Sequence, residues 1–523
     1  MEHNIQRRRF LHIMALLAGS GALGQLLAAC TAAPVAQQAP APPGAPGPAV
    51  QPTVSPEPAA ALRFPTGFRW GVATSAYQIE GAVQADGRGE SVWDRFSHTS
   101  GRVQHGDTGD IACDHYHRYQ EDLDLMQSLG IQSYRFSIAW PRIFPSGAGA
   151  VNQRGLDFYR RLIDGLLKRG IQPLPTLWHW DTPQELEDQG GWVSRDTAQR
   201  FSEYADTVFR AFGDSVPTWM TLNEPKTVVT VGYLQGFHAP GFHNPHKAYA
   251  AMHHLLLAHG LATQAFRASG AHGQIGIVLN LMPIYAADAD PQALPAVRVQ
   301  DGYENRLYLE PVLRGQYPND LLAAIDRESN LIAMIKPGDL ETIAAPIDLL
   351  GVNYYGPGYV QANGDMVAGP HPRSLAGWQV IYPNGLYDLL MRIKQDYGDL
   401  PLSITENGIP TNDILNGDTV DDRERIQFLH AHITAAHRAI QAGVDLRSYH
   451  AWSLLDNFEW AAGYSQRWGM VYVDFHTQQR TPKRSALWYR DVIRAHGSKL
   501  VEPSARSVPQ PMAPIADRAG RRS

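Results

Sequence analysis

The chain has 523 residues, a formal charge of −6 and 44% hydrophobic residues. It can bury a large core, and it lacks the basic surplus that nucleic-acid binding requires. Only Cys30 and Cys113 are present, which excludes a disulfide framework and a Cys-rich metal site.

The first thirty residues read as an export signal. Arg7-Arg8-Arg9-Phe10-Leu11 resembles a twin-arginine pattern, and an apolar, Gly-containing stretch follows to Ala29. Leu27-Ala28-Ala29-Cys30 resembles a bacterial lipobox, with Cys30 as the acylated residue of the mature protein. Gln25, His12 and the small residues make the stretch a poor permanent membrane span. Residues 31–61 are Ala, Pro, Gly and Gln with few large apolar side chains, the composition of an extended tether. The expected product is exported and lipid-anchored, with no other membrane contact. Residues 497–523 are Pro-, Ser- and Arg-rich and read as a disordered tail.

Between these ends, residues 62–496 read as one domain. Short apolar runs with β-type composition fall at 68–75, 133–140, 172–179, 218–224, 274–280, 348–355, 400–406 and 446–454. Amphipathic helical stretches lie between several of them, at 117–129, 156–169, 201–212, 249–266 and 423–442. Eight strand–helix alternations predict an α/β fold, a single (β/α)8 TIM barrel. Polar residues gather where the runs end: His179, Asn223-Glu224, Asn353, Tyr355, Glu406-Asn407 and Asp456. In such a barrel the C-terminal ends of the strands hold the active site, so these positions predict a site there.

Two of those ends carry the chemistry. Thr221-Leu222-Asn223-Glu224-Pro225 and Thr405-Glu406-Asn407-Gly408 each place a glutamate beside an amide. Two carboxyl groups flanking one bond are what hydrolysis of a glycosidic bond needs, one protonated and one ionised. The 12 Trp and 22 Tyr supply aromatic faces on which sugar CH groups could pack. His115 and His117 lack the further ligands that a metal site would need, Cys113 reads as a packing residue, and Asp456 as structural.

These motifs resemble those of the family 1 glycoside hydrolases. So do Ala73-Thr74-Ser75-Ala76-Tyr77-Gln78-Ile79-Glu80-Gly81, Tyr134-Arg135-Phe136-Ser137, His179-Trp180-Asp181, Asn353-Tyr354-Tyr355 and the run from Trp452 to Trp460, in the family's order. The resemblance covers about residues 63–496. It implies Glu224 as catalytic acid/base and Glu406 as nucleophile, with Arg135 and Tyr355 orienting and ionising Glu406. It implies Gln78, His179, Asn223, Asn353, Glu459 and Trp460 around the non-reducing sugar, Trp452 as its stacking floor and Trp378 on the aglycone side. No metal or organic cofactor is implied. The expected ligand is a small β-glycoside, and no oligomeric state is implied.

Several activities fit this pattern. A 6-phospho-β-glycosidase is disfavoured, because Glu459-Trp460 are kept and Gln466-Arg467-Trp468 stand where Lys-Arg-Tyr is expected. β-Galactosidase or β-fucosidase tolerance and transglycosylation remain open. A sugar-binding lipoprotein on a retired enzyme fold is disfavoured by the two intact glutamates. The preferred expectation is a retaining β-glucosidase acting on β-glucosides or short β-glucans.

Overall fold

The structure is a computed structural model and describes residues 62–498 and 500. The export segment, Cys30 and the tether lie outside the described residues, as does the tail from residue 501 onward.

Eight parallel strands close into a barrel. They are β1 (Arg69–Ala73), β2 (Ser133–Ser137), β3 (Gln172–Trp178), β4 (Thr218–Asn223), β5 (Gln274–Asn280), β6 (Leu349–Asn353), β7 (Leu402–Asn407) and β8 (Leu446–Trp452). Each pairs with its sequence neighbours, and β8 closes on β1 from Arg69↔Ser448 to Ala73↔Trp452. All eight expected runs are strands. The runs are short and apolar because a strand enclosed by helices is covered on its outer face and packed on its inner one. Inside the barrel, Leu174, Met220, Val278 and Leu349 form a separate buried cluster. A packed interior of this kind closes the tube below the site.

Helices wrap the outside: α1 (His115–Ser128), α2 (Gln153–Lys168), α3 (Arg195–Phe212), α4 (Pro245–Ser269), α5 (Leu307–Arg314), α6 (Pro383–Tyr397), α7 (Arg423–Gln441) and α8 (Arg484–Arg494). In α2, Phe158, Tyr159, Leu162, Ile163 and Leu166 are buried, the stripe a 3.6-residue period predicts. Helix α4 departs from a one-sided stripe and is buried along most of its length. The segment between β5 and β6 packs a second layer over it. It is also longer than its apolar run suggests. Asn244 accepts a cap bond from the Lys247 amide at 3.0 Å, Pro245 stands at the first turn, and Gly270 ends the helix at φ +77°. Helix α3 likewise starts at Arg195, in a polar first turn that periodicity does not register. Among the described residues no helix is long and apolar enough to cross a membrane.

Candidate active site

The strand ends place the predicted glutamates in one cavity of about 580 Å³. Both glutamate-bearing strands lose regular register just before the glutamate, between Met220 and Asn223 on β4 and between Ile404 and Glu406 on β7. Such irregularities re-aim side chains at barrel rims. Pro225 then ends the ladder, because it has no N–H to give. Glu224 itself sits in left-handed backbone at φ +46°, and the cavity-lining Trp180 and Trp460 do so at +79° and +48°. For non-glycine residues each such conformation costs about 1–3 kcal/mol and is held by the surrounding structure.

Glu406 is buried, with a donor on each carboxylate oxygen. Arg135 Nη1 donates to Oε1 at 2.5 Å, and the Tyr355 hydroxyl donates to Oε2 at 2.8 Å. Arg135 is itself buried on β2 and reaches across the barrel. Its Nη2 donates to Asn223 Oδ1 at 2.7 Å and its Nε to Thr176 Oγ1 at 3.1 Å. Burial pushes the Glu406 carboxyl up to about 7, Arg135 pulls it down and Glu224 pushes it up. The Tyr355 hydrogen bond pulls it down further. The contacts expected to ionise Glu406 are present, and desolvation outweighs them. Tyr355 is held well above the usual phenol value, by burial first and then by Glu406, so it stays a donor.

Glu224 has different company. Asn353 Nδ2 donates to its Oε1 at 2.6 Å, and Thr227 Oγ1 and Asn280 Nδ2 donate to Oε2 at 2.8 and 3.2 Å. Its hydrogen-bond partners are neutral, whereas Glu406 is held by a guanidinium. Asn280 and Thr227 were not anticipated from the sequence. The rule that singled out Asn223 and Asn353, a polar residue ending an apolar run, also reaches Asn280 at the end of β5.

The amide of Asn223 links the two groups. Its Oδ1 accepts from Arg135 and, at 3.2 Å, from Asn353, which leaves its Nδ2 facing His179 Nε2 at 3.0 Å. His179 Nε2 therefore accepts, and Nδ1 carries the proton. Burial and Arg135 hold the imidazole well below its ordinary value, so it is neutral. Its Nδ1 is buried and finds no partner among the described residues. The same holds for one oxygen of Glu459. Burial, Glu406 and Glu224 push the Glu459 carboxyl up to about 8. These two groups line the cavity with Trp452 and Trp460, whose rings lie 5.9 and 5.8 Å from that of His179. The arrangement is an aromatic-walled pocket with unused polar edges, suited to a hydroxylated ring.

The remaining predicted residues take other places. Gln78 and Asn353 are fully buried. Gln78 donates to Asn457 Oδ1 at 3.0 Å and to the Phe458 carbonyl at 2.8 Å, which anchors the turn carrying Glu459. Asn353 accepts from Thr405 Oγ1 at 2.7 Å while holding Glu224. Trp378 lies at the mouth, 41% exposed and stacked on Trp468. Arg467 turns away from the cavity. It pairs with Asp456 at 2.6 Å and covers the Tyr472 ring. Asp456 is thus a buried structural anion, held also by Lys483 at 2.6 Å. His115 pairs with the buried Asp122 at 2.7 Å. Cys113 is buried and free, and burial raises its thiol.

A closed (β/α)8 barrel with two carboxyl groups in one aromatic-walled cavity is the framework of a glycoside-cleaving enzyme. The sequence model described as glycosyl hydrolase family 1 matches residues 60–498. The thermostable β-glucosidase B of Thermobispora bispora is 51% identical over 446 residues, covering 83% of this chain and 92% of that one. The β-glucosidase A of Acetivibrio thermocellus is 47% identical over 446 residues, covering 83% and 99%. A solved structure of the Thermotoga maritima β-glucosidase in complex with deoxynojirimycin superposes with a TM-score of 0.80 at 46% identity, covering 83% and 99%. The chain belongs to glycosyl hydrolase family 1.

Proposed function

We propose that this chain is a retaining β-glucosidase that releases terminal non-reducing β-D-glucosyl residues by double displacement. The observation that carries this reading is the unequal environment of the two glutamates. Glu406 has a guanidinium and a phenol donating to it, which suits an ionised nucleophile. Glu224 has neutral amide and hydroxyl partners, which suit a group that gives up and regains a proton. In the first step Glu406 attacks the anomeric carbon, and Glu224 protonates the departing aglycone oxygen. That proton leaves with the aglycone, and because the ester at Glu406 carries no charge, the Glu224 carboxylate stays ionised beside it. In the second step it takes a proton from the attacking water, the ester bond breaks, and Glu406 is freed as a carboxylate with Glu224 protonated again. His179, Asn223, Glu459 and Trp460 hold the sugar, Trp452 is its floor, and Gln78 and Asn353 position Glu459 and Glu224. A 2-deoxy-2-fluoro glucoside should label the wild type covalently at Glu406, and Glu406→Gly should abolish turnover. Labelling at another residue, or full activity in that variant, would refute the assignment.

We further infer that the enzyme acts outside the cytoplasm, carried there by residues 1–30 and held by a lipid on Cys30, with residues 31–61 as tether. The Arg7-Arg8 pair and the Ala28-Ala29-Cys30 ending support this. Cys30→Ser should release the protein from membranes, and Lys replacements at Arg7 and Arg8 should retain it in the cell. Unchanged fractionation of these variants would exclude the anchor and the twin-arginine route respectively.

A further inference from the structure

We propose that the ion pair Lys226–Glu304 selects the aglycone, binding the hydroxyls of a second hexose and so favouring β-linked gluco-oligosaccharides over aryl glucosides. This rests on the β-glucosidase reading of the same cavity. Glu224 delivers its proton to the leaving oxygen, so the aglycone must lie on the Glu224 side. That side is built by the segment after β4. Lys226 lies two residues beyond Glu224, and Thr227 donates to Glu224 Oε2 at 2.8 Å.

Lys226 Nζ stands 2.8 Å from Glu304 Oε2, and their side chains are 11% and 20% exposed. Both line the cavity. A pair that is mostly withdrawn from water yet lines a cavity wall is neither a loose surface contact nor a sealed core pair. Gln300 donates to Glu304 Oε1 at 3.2 Å and fixes that carboxylate from behind. An ammonium has three donors and a carboxylate about four acceptor positions, so the pair keeps capacity for a ligand after its mutual bond. At the mouth, Trp378 offers an exposed ring stacked on Trp468. Charged groups for edge hydroxyls together with an aromatic face for CH groups form a surface for a hexose. An aryl aglycone can use the ring but offers little to the ion pair.

The test compares kcat/KM for cellobiose and for 4-nitrophenyl β-glucoside in the wild type and in Lys226→Met, Glu304→Gln and Lys226→Arg. Aryl-glucoside turnover reports that each variant has folded. The ratio of cellobiose to aryl-glucoside kcat/KM should fall tenfold or more in Lys226→Met and Glu304→Gln, as for loss of a hydrogen bond to a charged group. Lys226→Arg, which keeps the charge, should recover most of the ratio. Parallel loss on both substrates, an unchanged ratio, or a wild type that cleaves the aryl glucoside but not cellobiose would overturn the proposal. A wild type inert on both would instead refute the β-glucosidase reading.

Discussion

Tyr355→Phe removes one hydrogen bond from the nucleophile and leaves the ring in place. The lost bond is the 2.8 Å contact from the hydroxyl to Glu406 Oε2, and Arg135 remains on the other oxygen. A hydrogen bond to a charged group contributes about 1.5–3 kcal/mol. At 1.36 kcal/mol per pKa unit, its loss raises the Glu406 carboxyl by roughly one to two units. The sign follows from the donor favouring the charged form, so without it the protonated form gains. Glu406 starts at about 7 in the free enzyme, because burial outweighs its donors. The kcat/KM profile of the wild type should therefore rise with pH through an acid limb near 7, and the variant's limb should move to higher pH. At pH 6 the variant should lose about ten- to a hundredfold in kcat/KM, and the deficit should shrink as pH rises. The assay is an aryl β-glucoside followed at low substrate from pH 5 to 9. Burial keeps the phenol protonated over this range in the wild type, so Tyr355 adds no limb of its own. A variant with an unmoved acid limb and a uniform loss at every pH would refute the argument.

Three further outcomes follow from other parts of the structure. Asn280→Ala removes the 3.2 Å donor on Glu224 Oε2 and should lower kcat/KM several-fold for a poor phenol leaving group but little for a dinitrophenol, which needs no acid; equal losses on both would contradict this role. Asp181 is fully buried, and burial raises its carboxyl to about 8, with Arg88 opposing and Glu80 adding to the rise. Its folded value lies above the unfolded one of about 4, so the wild type loses stability as pH rises from about 4 toward 8. Asp181→Asn removes that loss, and the melting temperature of the variant relative to wild type should be higher at pH 8 than at pH 5; no pH dependence of the difference would refute the shift. Lys483 is buried between Asp413 at 2.5 Å and Asp456 at 2.6 Å, and Lys483→Ala should cost about 1.5–3 kcal/mol in denaturant unfolding by removing one charged donor from each of two buried carboxylates, which keep Arg425 and Arg467; a change below about 0.5 kcal/mol would show that Lys483 is dispensable.

The sequence by itself determined the barrel and the identity of the two glutamates. Strand and helix periods are local, and eight apolar runs bounded by polar ends are legible within windows of ten residues. Glu224 and Glu406 stand at such ends beside amides, so position along the chain sufficed to find them. Helix starts were less legible, because Pro245 and Arg195 lie in polar first turns outside the apolar stripe. The tertiary structure alone decided what surrounds each carboxyl. Arg135 meets Glu406 across 271 positions of sequence, and Asn280 reaches Glu224 across 56. It also decided that Gln78 bonds the Phe458 carbonyl, that Asn353 holds Glu224, that Arg467 turns toward Asp456, and that Lys226 faces Glu304. The ionisation of Glu406 belongs to the same class. Its donors lower the carboxyl and its burial raises it, and burial is a sum over neighbours from the whole barrel that no local stretch of sequence contains.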